Sequence, residues 1–125
     1  MGLDRGKKDK LIAVARFNTE LNRYLDTDYD AFIIFRSKGL LAHLIKRQHF
    51  QAAKYYDYLP DIITNPDYIG LNGSVLEMVK CYKDNIFITI KLDVKKNRYY
   101  VATMFDIKEA KLDSYIRSGR LVKTT

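Results

Sequence analysis

The chain has one cysteine, Cys81, so no intrachain disulfide can form, which agrees with a reducing, cytoplasmic compartment. Its apolar neighbours make Cys81 a core residue rather than a nucleophile. No apolar run approaches the roughly 18 residues a membrane-spanning helix needs. No membrane partner is expected. The basic opening, Met1 to Lys10, lacks the apolar segment of a signal peptide. It reads as a flexible basic N-terminal arm, residues 1–10, ahead of a single domain, residues 11–125.

Several chemistries are missing as well. There is no glycine-rich phosphate loop. Two histidines and one cysteine make a poor zinc set, and His43 and His49 are six apart rather than the four of a helical zinc pair. Acidic residues are scattered and form no two-metal cluster. No metal site and no cofactor are expected, and an enzyme built on this sequence would work without a metal.

Positive charge is present in excess. Twenty-two Lys and Arg against fifteen Asp and Glu give a net charge of +7, which favours an anionic partner, most simply nucleic acid. Ten Tyr and six Phe provide flat rings. Some could stack on bases, though most belong to a core.

Both histidines fall between Ser37 and His49. At about 100° per residue, Leu40, Leu41, Leu44 and Ile45 share one arc, while His43, Lys46 and Arg47 share the opposite one. His49 would lie about 60° from Lys46 on a continuing helix. Ser37 is a fair N-cap. Imidazole can donate or accept a proton near neutral pH, and Lys and Arg can hold a phosphate. The combination suits phosphodiester cleavage. The same pattern equally describes the solvated face of an amphipathic helix.

Residues 11–17 are ambiguous between strand and helix. Asn18 is placed to cap a helix bearing Leu21, Tyr24 and Leu25. Ala31 to Phe35 suggests a buried strand. Phe50 to Thr64 has helical spacing with Pro60 inside it, which predicts a kink or restart. Tyr68 to Leu71 reads as a short strand and Asn72-Gly73 as a turn. From Ser74 the period drops to two. Three strands follow, spanning Val75 to Asp106, with Ile86, Ile88, Ile90 and Leu92 on one face and Phe87, Thr89 and Lys91 on the other. Asp106 and Glu109 have capping-box spacing. Leu112, Tyr115 and Ile116 stripe a last helix, and Gly119 sits where its C-terminus would end. Helices first, then an antiparallel meander, then a closing helix is an α+β order. One sheet face is expected under the N-terminal helices, and the other could be open, with Thr89 and Lys91 pointing into a cleft.

Five segments in order carry a family likeness: His43 to His49, Leu59 to Ile69, Ile88 to Asp93, Tyr100 to Ile107 and Ser118 to Leu121. Over roughly residues 37–122 the chain resembles the phage-type branch of the Barnase–EndoU–Colicin–RelE-like nucleases, found in phage and mobile elements. The resemblance implies helices packed on a mainly antiparallel sheet of about four strands. It also implies metal-independent ribonuclease chemistry, used as a toxin or effector in the bacterial cytoplasm. RNA is then the expected partner, with tRNA a candidate, alongside a cognate antitoxin or immunity protein. Carried over by position, the motifs fall on His43, Lys46, Arg47, His49, Thr103 and Arg120.

On this reading His43 and His49 exchange protons with the substrate, Lys46, Arg47, Lys91 or Arg120 hold phosphate, and Thr103 donates a hydrogen bond. Arg117 and Arg120 form a basic C-terminal end that could also bind nucleic acid. Each residue has a plainer role open to it. Thr103 also fits simple β-prone packing, Lys91 a solvated strand residue, and Arg120 a complement to the last helix's dipole. Two other functions fit the charge: a non-catalytic nucleic-acid-binding module, and an inhibitor of a nucleic-acid enzyme.

Overall fold

A computed structural model of the protein describes residues 10–124. The basic arm expected at residues 1–10 therefore lies outside the described residues, apart from Lys10. Among the described residues, seven strands form one mixed sheet: β1 (Leu11–Arg16), β2 (Ile33–Ser37), β3 (Tyr68–Asn72), β4 (Val75–Cys81), β5 (Asn85–Asp93), β6 (Arg98–Asp106) and β7 (Val122–Lys123). Their order is β1-β2-β6-β5-β4-β3-β7. The helices are α1 (Asn22–Leu25), α2 (Leu40–Lys46), α3 (Phe50–Ala53), α4 (Leu59–Thr64) and α5 (Glu109–Arg117).

The α+β class and the mainly antiparallel sheet agree with the sequence reading, but the expected strand number of about four is corrected to seven, with one parallel pair among them. β2 joins β6 in parallel, through Ile34↔Tyr99 and Phe35↔Tyr100. That contact links chain segments far apart in sequence, which local periodicity does not register. The ambiguous segment at residue 11 is β1, an antiparallel neighbour of β2 with a bulge near Val14. β3 to β6 form the expected antiparallel ladders.

Alternation along the strands builds two layers. On the first face Ile86, Ile88 and Ile90 are fully buried with Ile34, Met78 and Met104 against Leu44, Ala52 and Ile62 of the helices. Burying a side chain of this size stabilises by about 1.5–3 kcal/mol. Leu92 departs from the expected stripe and is 41% exposed. It follows a bulge, where Thr89 pairs with Thr103 but Ile90 with Val101, so Ala102 is an extra residue that bends β6. On the second face α5 covers a smaller core of Val79, Phe87, Ile107, Leu112 and Leu121.

Several local expectations hold. Asn18 accepts a hydrogen bond from the Glu20 N–H, opening a 3-10 turn ahead of α1. The chain restarts at Pro60, which occupies the first turn of α4. There its missing N–H leaves no bond unmade. Gly73 and Gly119 take left-handed φ values of 65° and 81° in their turns.

Others fail for physical reasons. Phe50 to Thr64 splits into α3, a 3-10 turn and α4. Ser37 belongs to β2, and Gly39 stands at the α2 N-cap without a side-chain cap. Asp106 stays in β6 and accepts from Lys108, while Glu109 accepts from Asn85, so the capping box does not form. Cys81 is exposed on β4, not core. Partial desolvation of the thiol and the nearby carboxylates of Asp67 and Glu109 push its pKa up, the opposite of an activated nucleophile.

Candidate active site

The second sheet face is laid out in transverse rows set by the strand register. One row, Tyr68–Val79–Phe87–Phe105, lies in the small core under α5. The next is Gly70–Glu77–Thr89–Thr103. The third runs Lys91–Tyr100–Phe35 across β5, β6 and β2. Thr89 and Lys91 do share the expected face.

The corner between α2 and α3 meets this face at β6. Leu40 and Leu44 anchor α2 in the core, at 4% and 1% exposure, which turns His43, Lys46 and Arg47 to the outside. Ile45 was expected on the apolar arc, yet it is 49% exposed. The helix is too short to carry His49. Instead Gln48 adopts a left-handed φ of 60° and the His49 N–H donates to the Leu44 carbonyl at 2.8 Å, a bond of the Schellman type. The chain turns back and starts α3, which packs on β6. On a continuous helix His49 would stand about 120° around and about 9 Å along from His43. Because of the turn, both histidines reach one cleft.

That cleft has a volume of about 140 Å³ and is lined by His43, Arg47, His49 and Thr103, with Leu44 and Phe105 among its walls. The His49 and Phe105 rings are 6.5 Å apart. On its sheet side the Thr103 Oγ1 lies 2.7 Å from the Thr89 Oγ1. A hydroxyl has one proton and accepts through its lone pairs. When Thr89 donates in this pair, the Thr103 proton is available to the cleft.

The remaining expected site residues lie elsewhere. Lys46 is exposed on α2 and does not line the cleft. Lys91 is exposed in the third row, opposite Tyr100. Arg117 is exposed in the last turn of α5. Arg120 is engaged. Its Nε and one terminal nitrogen donate to the two Glu77 oxygens at 2.8 and 2.6 Å, and its guanidinium lies 4.0 Å from the centre of the Tyr115 ring. The hydrogen bonds to Glu77 raise the Arg120 pKa further. Among the described residues Glu77 is the one buried charged side chain, at 2% exposure. The sequence reading passed over it, although a carboxylate between Leu76 and Met78 in an apolar strand was a signal that a cation must lie opposite.

Neither the cleft nor the rest of the described residues gathers three or more His, Cys, Asp or Glu side chains as a metal site would. The groups around the cleft are imidazole, guanidinium and hydroxyl, a set for moving protons and holding anions.

Residues 12–114 match the family described as phage-Barnase-EndoU-ColicinE5/D-RelE like nuclease 3. The chain belongs to this nuclease family. No curated protein and no solved structure matches the chain. His43, Lys46, Arg47, His49, Lys91 and Thr103 lie within the stretch matched to the phage-type nuclease family, and Arg117 and Arg120 lie beyond it.

Proposed function

We propose that this member of the nuclease family is an endoribonuclease that works without a metal ion, through the substrate's own 2′-OH. The observation that carries the reading is the convergence of both histidines of the chain with Arg47 and Thr103 on one cleft. One imidazole takes the proton of the 2′-OH, whose oxygen attacks the adjacent phosphorus. The other protonates the departing 5′-oxygen. The P–O5′ bond breaks as the P–O2′ bond forms, leaving a 2′,3′-cyclic phosphate and a 5′-hydroxyl. Arg47 and the Thr103 hydroxyl stabilise the charge that develops on the phosphate oxygens. Lys46 and Lys91 act further out, as cations that draw the strand in.

The net charge of +7 supports a polyanionic substrate. As a toxin or effector, with tRNA a candidate target, such an enzyme requires a cognate inhibitor in the cell that makes it. Incubation of the protein with end-labelled RNA in EDTA tests the proposal. Fragments ending in a 2′,3′-cyclic phosphate are expected. Cleavage that stops in EDTA, or that leaves 3′-hydroxyl ends, contradicts it.

A further inference from the structure

Beyond the histidine cleft, β6 passes a second hollow. It has a volume of about 330 Å³ and is lined by Leu11, Ser37, Asp93, Lys96 and Tyr100. Tyr100 is half-buried and lies on the same sheet face as Thr103, because the bulge at Ala102 restores the alternation between them. Strand geometry puts the two residues about 7–10 Å apart along β6. Phe35 is beside Tyr100 on β2, and Arg98 lies over the Phe35 ring at 5.0 Å from its centre. Lys91 flanks Tyr100 on the other side. The hollow thus offers an aromatic ring edged by cations, with the Ser37 hydroxyl and the Asp93 carboxylate within it; one Asp93 oxygen accepts from the Lys96 N–H at 3.2 Å, which holds the carboxylate in place.

We infer that this hollow is a base-binding subsite, in which Tyr100 stacks on a base of the single-stranded substrate next, or next but one, to the scissile phosphate, and Asp93 selects it. The inference rests on the reading of the histidine cleft as the ribonuclease site. An aromatic ring stacks on any base, so selection falls to the carboxylate. A carboxylate only accepts hydrogen bonds. Adenine, cytosine and guanine present an exocyclic amino donor, whereas the one donor on the pairing edge of uracil, N3–H, is flanked by two carbonyls that repel a carboxylate. The subsite therefore favours amino-bearing bases over uracil.

The probe is a fluorescein-labelled 2′-O-methyl oligoribonucleotide, which binds but has its nucleophile blocked. Anisotropy titrations use a series in which a single abasic residue is moved along the strand. With the wild-type protein, one abasic position is expected to weaken binding about 5- to 150-fold, the usual worth of a stacked base. Tyr100→Ala should weaken the complete strand by a similar factor and abolish the abasic effect, while Tyr100→Phe retains both. At the sensitive position uracil should bind more weakly than the other three bases, and Asp93→Asn should erase that difference. Unchanged affinity in Tyr100→Ala, no sensitive position along the strand, or no binding at all overturns the subsite. The readout is binding, so failure of the same sequence in all-ribose form to be cleaved would count against the nuclease reading without deciding this one.

Discussion

Arg120 holds Glu77 in a two-pronged ion pair on the face of the sheet, between residues 43 positions apart. The two partners differ in their access to water. The Arg120 side chain is 32% exposed and that of Glu77 only 2%. The approach is close because β3 carries Gly70 below: a Cβ there would come within 1.9 Å of the Arg120 carbonyl oxygen. The C-terminal segment, outside the stretch matched to the family, is thereby fixed to the sheet beside the Thr89–Thr103 pair.

The asymmetry predicts unequal mutants. Arg120→Ala leaves a buried carboxylate without its cation and should destabilise by about 3–5 kcal/mol. Glu77→Gln leaves a guanidinium that water can reach, so its cost should be clearly smaller. Urea denaturation of the two variants measures the difference, and equal losses would contradict the argument.

Gln48 makes the second prediction. Its left-handed conformation joins the two histidines, and a side chain there costs about 1–2 kcal/mol relative to glycine. Gln48→Gly should be neutral or slightly stabilising and keep activity. Gln48→Val, β-branched and poorly suited to positive φ, should lower the RNA cleavage rate at least tenfold. Thermal melts and a cleavage assay on both variants test this.

The strand alternation and its end are separable. Ile88 is fully buried and Leu92 is 41% exposed. Ile88→Asp places an unpaired charge in the core and should abolish cooperative unfolding by circular dichroism. Leu92→Asp should leave the melting curve nearly unchanged.

Acid behaviour follows from Asp61. The Tyr82 hydroxyl donates to it at 2.6 Å and Asn65 at 3.2 Å, and these bonds lower its pKa. A carboxyl whose folded pKa lies below its unfolded value contributes stability above the unfolded pKa and loses it as pH falls through the folded one. Wild-type stability should therefore drop below about pH 4 more steeply than that of Asp61→Asn. Parallel slopes in urea titrations between pH 5 and pH 3 would contradict it.

The strands of the meander were legible because each reports its own alternation, and Ile86, Ile88 and Ile90 fall where that alternation puts them. The parallel pairing of β2 with β6 was not, since nothing in Ile33–Ser37 names a partner some 65 residues away. The basic face of α2 was readable from the wheel. That His49 returns to His43 was not, because the return depends on one left-handed residue, Gln48, of a type with no special preference for that conformation. Arg120 looked like a free cation because its partner, Glu77, lies on β4, 43 positions earlier in the chain. The exposure of Cys81 was missed because apolar neighbours in a strand do not say which face a residue takes.

The most direct measurement is single-turnover cleavage of a tRNA mixture by wild type, His43→Ala and His49→Ala, with folding of each variant confirmed by its melting curve. An oligonucleotide carrying one 2′-deoxy sugar at the cut serves as the companion substrate. Each histidine variant should remain folded and lose roughly 10²–10⁴ in rate, the usual worth of a general acid or base, and the deoxy position should not be cut. Full activity in both variants, or cleavage at the deoxy position, would contradict the account.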